Sequence, residues 1–125
     1  MELNDISYKI RGAIFKVYSE LGPGLLESVY ELALAYELRN EGLNIRTQVP
    51  IPVIYHDVKL DGGFRLDILV ENQVIIEIKS VENLAEVHHK QVITYLKLSN
   101  LKLGLLVNFN TDNIAFSIYR KVNNL

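Results

Sequence analysis

The chain has 125 residues, 49% of them apolar, no cysteine, and thirteen basic against fifteen acidic side chains. This length fits one domain, residues 1–125, and the missing cysteines exclude disulfide frameworks, thiolate metal sites and cysteine nucleophiles. The balanced charge counts against a protein that coats nucleic acid, and the lack of a leader sequence or of an apolar run of roughly 20 residues indicates a soluble cytoplasmic protein without a membrane segment.

The first third of the chain has the pattern of two helices separated by a sharp break. Apolar residues recur every three or four positions over residues 5–20, which forms one face of an amphipathic helix. Gly22-Pro23-Gly24 ends that helix. A second helix, rich in Leu, Ala and Glu, is predicted from about Leu25 to Glu41, and Gly42 follows where a helix commonly exits through a left-handed residue.

A strand is predicted next, over residues 45–55, where the β-branched content rises. Pro50 and Pro52 stand at alternate positions in it and indicate an edge strand or a bulged one, because proline donates no ladder hydrogen bond. We expect turns at residues 56–57 and 61–63, where polar residues and glycine gather.

Two further strands form the pattern of a buried hairpin. Phe64–Val70 and Val74–Ser80 are dense in Ile, Leu and Val, and the polar residues 71–73 separate them. Both are predicted to lie in the centre of a sheet.

The last third of the chain predicts a helix and two strands. Asn83 followed three residues later by Glu86 has the form of a helix start, and helical spacing continues to about Ser99. Strands are then predicted over Leu103–Phe109 and Ile114–Tyr119, around a polar turn. The order α, α, β, β, β, α, β, β predicts an α/β fold.

Two charges lie inside a strand that otherwise has the composition of a buried one. Glu77 and Lys79 are two residues apart and therefore project from one face of the strand, where a buried charge is costly without a partner or a metal. Asp67 precedes Asn72 by five residues and Glu77 follows it by five. A hairpin symmetric about Asn72 therefore puts Asp67 directly opposite Glu77, unless the turn contains a bulge.

Two facing carboxylates repel each other, and a hard cation such as Mg²⁺ relieves that repulsion with oxygen ligands. The backbone carbonyl of Ile78 is a candidate for a further oxygen ligand, and Lys79 is placed to orient the attacking water or to stabilise charge on a phosphate oxygen. These are the parts that hydrolysis of a phosphodiester needs. The alternative is an exposed, salt-bridged strand face, in which Asp67 is an ordinary partner of Lys79.

Three segments around these residues together resemble the PD-(D/E)XK nuclease superfamily: Gly63–Asp67, Ile76–Ser80 and Gln91–Tyr95. Leu66 stands where the name of the superfamily has proline, which leaves the acid in place. The third segment looks like the Q-x-x-x-Y helix of an exonuclease branch, with its Gln and Tyr four residues apart on one helical face.

A further segment, Gly24–Tyr30, is similar to the signature of the GxxExxY family within that superfamily, and the resemblance extends over residues 24–110. It implies a restriction-endonuclease-like αβββαβ core, with a central mixed sheet flanked by helices. It also implies a nuclease that depends on Mg²⁺ or Mn²⁺ and leaves a 5′-phosphate. The implied metal ligands are Asp67, Glu77 and Glu27, and the implied catalytic and supporting residues are Lys79, Gln91 and Tyr95.

The roles of the flanking residues stay open at this point. Without the resemblance, Glu27 is a carboxylate that complements the dipole of its helix. Tyr30 lies three residues later on the same face, where it either hydrogen-bonds Glu27 or contacts substrate. Arg65 has the parity of Asp67, and it either contacts a substrate phosphate or pairs with an acid such as Glu77.

The expected substrate is nucleic acid, with DNA favoured over RNA. A catalytic domain this small needs two copies to grip a duplex, so we expect a homodimer. The alternative is a catalytically silent accessory module of the same fold that binds metal or nucleic acid, which the negative net charge favours.

Overall fold

The computed structural model describes residues 1–125, and its elements follow the predicted order with a short 3-10 turn, Ile114–Phe116, added before the last strand. The helices are α1 (Leu3–Leu21), α2 (Glu27–Asn40) and α3 (Glu86–Ser99), and the strands are β1 (Ile45–Tyr55), β2 (Val58–Val70), β3 (Val74–Lys79), β4 (Leu103–Asn108) and β5 (Ile118–Val122). This is the predicted α/β fold with a mixed sheet. None of the helices combines the length and apolar character needed to cross a bilayer.

The five strands form one sheet in the order β1-β2-β3-β4-β5. All neighbours are antiparallel except β3 and β4, which are parallel because α3 forms the crossover between them. Strand β1 is the predicted edge strand, and its pairing with β2 shifts register between Pro50 and Pro52, as the two prolines indicated. Strand β3 therefore lies in the centre of the sheet, where its side chains are covered on both faces.

The two faces of the sheet pack against different helices. Ile76 and Ile78 of β3 belong to the large core cluster that includes α1 and α2. Ile75 belongs to the smaller cluster with Tyr95 of α3. Because alternate residues of a strand point to opposite faces, Glu77 shares the face of Ile75 and projects toward α3.

Two predicted boundaries in the strands are wrong. Residues 61–63 do not form a turn: β2 continues through them, paired with β1, and Gly63 adopts a φ of 76° within the irregular part of that pairing. The last strand begins at Ile118, four residues later than predicted. The Asn113 side chain accepts a hydrogen bond from the backbone N–H of Ala115 and so favours a tight turn there.

The start of α3 is also later than predicted. The helix begins at Glu86, and the Nδ1 atom of His88 accepts a hydrogen bond of 3.0 Å from the backbone N–H of Ala85. This contact satisfies a free backbone donor at the helix start, which Asn83 was expected to do. The imidazole therefore has a local structural partner.

Candidate metal centre

The hairpin register agrees with the prediction from its symmetry. Ile68 pairs with Ile76 and Val70 with Val74, so the hairpin is centred on Asn72. The ladder ends at Ile68, and the next residue, Asp67, continues the contact through its side chain.

Asp67 bonds to the backbone of β3 next to Glu77. Its Oδ2 atom accepts a hydrogen bond of 2.8 Å from the backbone N–H of Ile78. The carboxyl group of Glu77 is close enough to form a side-chain hydrogen bond with Asp67 when one of the two carries a proton. The structure thus brings the two acids together on the face of the sheet that α3 covers.

Glu77 is the most perturbed titratable group of the molecule. The residue is 5% exposed, and its Oε1 atom is buried without a hydrogen-bond partner. Burial, followed by the hydrogen bond and charge of Asp67, raises the pKa of Glu77 to about 10, while the charge of Lys79 opposes this shift. An orphaned carboxylate oxygen beside a second carboxylate fits a divalent cation, which neutralises both.

Lys79 and Tyr95 complete the surroundings of the two acids. Lys79 is half-buried on the same face of β3 and takes part in neither of the two ion pairs of the molecule, which are Lys16–Glu37 and Arg65–Asp61. Tyr95 is buried, and burial together with the charges of Glu77 and Asp67 raises the pKa of its hydroxyl. Lys79 and Tyr95 therefore lie in the electrostatic field of the acid pair.

Helix α3 brings Tyr95 toward the acid pair because the helix packs closely against the sheet at Gly104. A Cβ atom at Gly104 would lie 2.9 Å from Cγ1 of Val92, closer than real contacts allow. Gln91 is one turn before Tyr95, half-buried, and its side chain forms no hydrogen bond within the protein. Its amide is therefore free to bond to a ligand, and it forms no hydrogen bond with either acid.

Glu27 is not gathered with the acid pair. It lies in the first turn of α2, exposed, and its Oε2 atom accepts a hydrogen bond of 3.0 Å from the backbone N–H of Ser80. Ser80 directly follows Lys79, so this bond ties the start of α2 to the end of β3. The structure contains no group of three or more acidic or histidine side chains arranged to hold a metal.

Glu31 is an acid that the sequence argument missed. Burial raises its pKa, a hydrogen bond of 2.6 Å from Nε2 of Gln48 opposes that rise, and the charge of Asp67 adds to it. Glu31 thus lies in the field of Asp67. The signal was present in the sequence, since Glu31 follows Glu27 by four residues and occupies the same side of α2.

Asn108 is a second residue that the sequence argument missed. Its buried side-chain amide donates to the carbonyl of Val81 at 2.9 Å and accepts from the backbone N–H of Val81 at 3.1 Å. The backbone pairing of β3 with β4 ends at Lys79 and Asn108. The amide therefore extends that pairing and fixes the segment after Lys79.

The prediction that Tyr30 contacts substrate or Glu27 is wrong. The ring is fully buried, stacked on Phe109 with centroids 4.2 Å apart, and its hydroxyl donates to the carbonyl of Gly22 and accepts from the N–H of Leu25. These contacts hold the break between α1 and α2 against the core. Tyr30 therefore has a structural role, and no surface is left for a ligand.

Arg65 is exposed and does not pair with Glu77. Its guanidinium lies 3.9 Å from Oδ1 of Asp61 and donates to the carbonyl of Phe64. An exposed pair of this kind contributes little to stability. The other alternative for Arg65, contact with a substrate phosphate, stays a prediction.

Comparison with known proteins agrees with this geometry. Residues 4–121 match the family model of the PD-(D/E)XK nuclease superfamily. The match covers nearly the whole chain, and the chain belongs to that superfamily. No curated protein matches the sequence.

Proposed function

We propose that this protein is a divalent-metal-dependent nuclease that hydrolyses phosphodiester bonds of nucleic acid, with DNA favoured over RNA. The observation that carries the proposal is the buried carboxyl group of Glu77, whose Oε1 atom has no partner while its neighbour is the carboxylate of Asp67. A buried acid beside a second carboxylate destabilises a fold unless a proton or a cation compensates the charge. Membership of a nuclease superfamily supports a bound cation, rather than a proton alone, as the compensating group.

Asp67 and Glu77 are the residues that hold Mg²⁺ or Mn²⁺ in this proposal, and Glu27 and the carbonyl of Ile78 are candidates for the remaining protein ligands. When bound, the cation supplies Lewis-acid activation of the phosphodiester. Glu31 is an alternative third acid, because Asp67 already perturbs it.

The other residues act on the substrate directly. The ammonium group of Lys79, which has no carboxylate partner, stabilises negative charge on a phosphate oxygen and orients the attacking water. The hydroxyl of Tyr95 and the amide of Gln91 donate hydrogen bonds beside it. Arg65, exposed on the same strand as Asp67, binds a flanking phosphate in place of Asp61.

Purified protein incubated with Mn²⁺ and single- or double-stranded DNA or RNA tests the proposal. We expect cleavage that leaves a 5′-phosphate, stops with a chelator, and is lost in both Asp67→Ala and Lys79→Ala. Glu82→Gln, which changes an exposed acid of the loop after β3, is the matched control and should keep full activity. The proposal fails if no substrate is cleaved, or if Asp67→Ala cleaves as fast as the wild type.

A catalytically silent module that binds metal or nucleic acid is the second candidate. The observation that favours it is that Glu27 is bonded to Ser80 and no third acid is arranged with the pair to hold a metal. Titration calorimetry with Mn²⁺ separates the two candidates. Binding that requires Asp67 and Glu77, in a protein that shows no turnover, would support the silent module.

A further inference from the structure

Lys79 is the last residue of a central strand. Strand β3 ends at Lys79, and the next element, α3, begins at Glu86. The pairing of β3 with β4 also ends there, where Lys79 is the partner of Asn108. The end of a strand opens locally unless contacts beyond the ladder hold it. The contacts of the residues after Lys79 therefore decide how firmly Lys79 is held.

The backbone of Lys79 limits where its ammonium group can lie. A lysine side chain is a flexible four-carbon stem, and that of Lys79 takes part in neither ion pair of the molecule. With no carboxylate to hold the ammonium group, the position of Cα and the direction of the Cα–Cβ bond are what restrict it. Loosening of residues 79–81 would therefore spread the ammonium group over a larger volume.

Asn108 holds the backbone two residues beyond Lys79. Its Oδ1 atom accepts a hydrogen bond of 3.1 Å from the N–H of Val81, and its Nδ2 atom donates one of 2.9 Å to the carbonyl of Val81. Neither backbone group of Val81 has another hydrogen-bond partner in the protein. One side chain therefore replaces both hydrogen bonds that a neighbouring strand would make.

The amide of Asn108 is itself fixed. The residue is 6% exposed, and its backbone N–H donates a hydrogen bond of 3.0 Å to the carbonyl of Ser117 in front of β5. Its Oδ1 atom accepts a second bond, of 3.3 Å, from the N–H of Asn110. A buried amide of this kind is retained where its polar atoms are bonded. Asn108 is therefore a firm point of attachment for the backbone of Val81.

Asn108 lies beside Lys79 on the face of the sheet that carries Glu77. In the parallel ladder Glu77 pairs with Leu106 and Lys79 pairs with Asn108, and residues two apart in a strand share a face. The other side chains of β4, from Leu103 to Val107, are apolar or absent. The one polar side chain of this strand is thus the one next to Lys79.

The start of α2 supplies a second attachment, at Ser80. The N–H of Ser80 donates to Oε2 of Glu27 at 3.0 Å, and its hydroxyl donates to the carbonyl of Leu25 at 2.6 Å. Glu27 is also a candidate metal ligand, and a carboxylate that turns to a cation gives up its bond to Ser80. The bonds from Asn108 to Val81 do not depend on the cation, so they hold the segment in either state.

We propose that Asn108 is a positioning residue for Lys79: by holding Val81 it fixes the end of β3 and orients the Lys79 ammonium group toward a phosphate bound beside Asp67 and Glu77. Asn108 acts through the backbone, since its amide bonds to Val81 and to neither acid. The use of Lys79 on a phosphate rests on the proposed function. The hold of Asn108 on Lys79 does not, and it can be measured without substrate or metal.

NMR relaxation measures this hold directly. The order parameters of the Lys79 and Val81 amides and of the Lys79 Cβ methylene group should be about 0.85 in the wild type and below about 0.6 in Asn108→Leu. Asn108→Asp keeps the acceptor for the N–H of Val81 and loses the donor, so its values should lie between these two. This second variant covers the case in which Asn108→Leu folds poorly.

Asn123→Leu is the matched control. The side-chain amide of Asn123 also donates to a backbone carbonyl, that of Leu101 at 3.0 Å, but it lies at the opposite end of β4. The loss of this bond should leave the order parameters of Lys79 and Val81 unchanged. A general loosening of the sheet would instead lower them in both variants.

Steady-state kinetics with Mn²⁺ and the nucleic acid that the wild type cleaves give the functional measurement. Asn108→Leu should lower kcat by about 10- to 100-fold and leave KM within about twofold, because a misplaced Lys79 stabilises the transition state less without weakening ground-state binding. The affinity for Mn²⁺, measured by titration calorimetry, should not change. Asn123→Leu should keep the kcat and KM of the wild type.

Two results would overturn the proposal: unchanged order at Lys79 in Asn108→Leu and Asn108→Asp, or lost order at Lys79 with unchanged kcat. A wild type that cleaves no nucleic acid, together with lost order in Asn108→Leu, would refute the proposed function and support the hold of Asn108 on Lys79. The two failures are therefore distinguishable.

Discussion

Replacing Glu77 with glutamine removes a titratable proton from the centre of the sheet without changing the size of the side chain. The pKa of Glu77 is raised from 4.5 to about 10, chiefly by burial. Between these two values the folded protein keeps a proton that the unfolded chain has released. The stability that this proton contributes is fully present below pH 4.5, falls as the pH rises, and is gone above about pH 10.

The size of the effect follows from the linkage of one proton. Each pH unit within that range lowers the free energy of unfolding of the metal-free wild type by about 1.4 kcal/mol. The protein therefore loses about 2.7 kcal/mol of stability between pH 7 and pH 9. For a domain of this size the loss corresponds to a fall in Tm of roughly 10 °C. Glu77→Gln lacks this dependence, and its amide can donate to Asp67 as the protonated acid does. We therefore expect its stability to be within about 1 kcal/mol of the wild type near pH 4.5 and to exceed it by about 3 kcal/mol at pH 7, since the wild type loses about 1.4 kcal/mol in each pH unit between.

Urea denaturation of wild type, Glu77→Gln and the surface control Glu82→Gln, in chelator at pH 6 to 9, measures this difference. Glu82→Gln should follow the wild type, and the stability advantage of Glu77→Gln should grow with pH. Added Mn²⁺ should stabilise the wild type increasingly as pH rises, because binding displaces the proton, and should stabilise Glu77→Gln far less. Parallel curves for wild type and Glu77→Gln in chelator would refute the reasoning about a buried protonated acid.

Three further substitutions test contacts that hold the site in place. Tyr30→Phe should lower the free energy of unfolding by about 1–3 kcal/mol in denaturant titrations, since it removes a hydroxyl that bridges two backbone groups, and activity per folded molecule should not change. Gly104→Ala should cost about 1–3 kcal/mol in the same measurement, because its Cβ meets Val92 at 2.9 Å, and Val92→Ala should restore part of that loss. Asn108→Leu should lower the free energy of unfolding by about 2–3 kcal/mol and speed hydrogen exchange at the Val81 amide, since both side-chain hydrogen bonds to the backbone of Val81 are lost. Unchanged exchange at Val81 would show that the Asn108 amide does not hold this backbone in place.

The convergence of Asp67 and Glu77 could be predicted because a hairpin is a local structure. Three polar residues between two dense apolar runs define the turn, and the alternation of side chains then fixes which residues share a face. The same local logic gave the edge position of β1 and the helix exit at Gly42, whose φ is 82°. Each of these features depends on residues close together in the chain.

Where the prediction failed, contacts with other secondary-structure elements decided the outcome. Residues 61–63 read as a turn, but pairing with β1 extends β2 through them. Tyr30 was expected to hydrogen-bond Glu27 or to contact substrate, but its ring stacks on Phe109, which is 79 positions away. No local sequence pattern reveals such a partner, because the two residues are far apart in the sequence and meet only in the folded protein.

The sequence by itself determined the order of the elements, the hairpin register and the pair of acids, since these follow from backbone geometry repeating every two or 3.6 residues. Only the tertiary structure decided which acids lie near that pair. Glu31 lies in the field of Asp67, while Glu27 bonds to Ser80, because the packing of α2 against the sheet sets where each turn of the helix falls. That packing depends on many weak contacts between residues that are far apart in the sequence, and the spacing of residue types along the chain does not reveal these contacts.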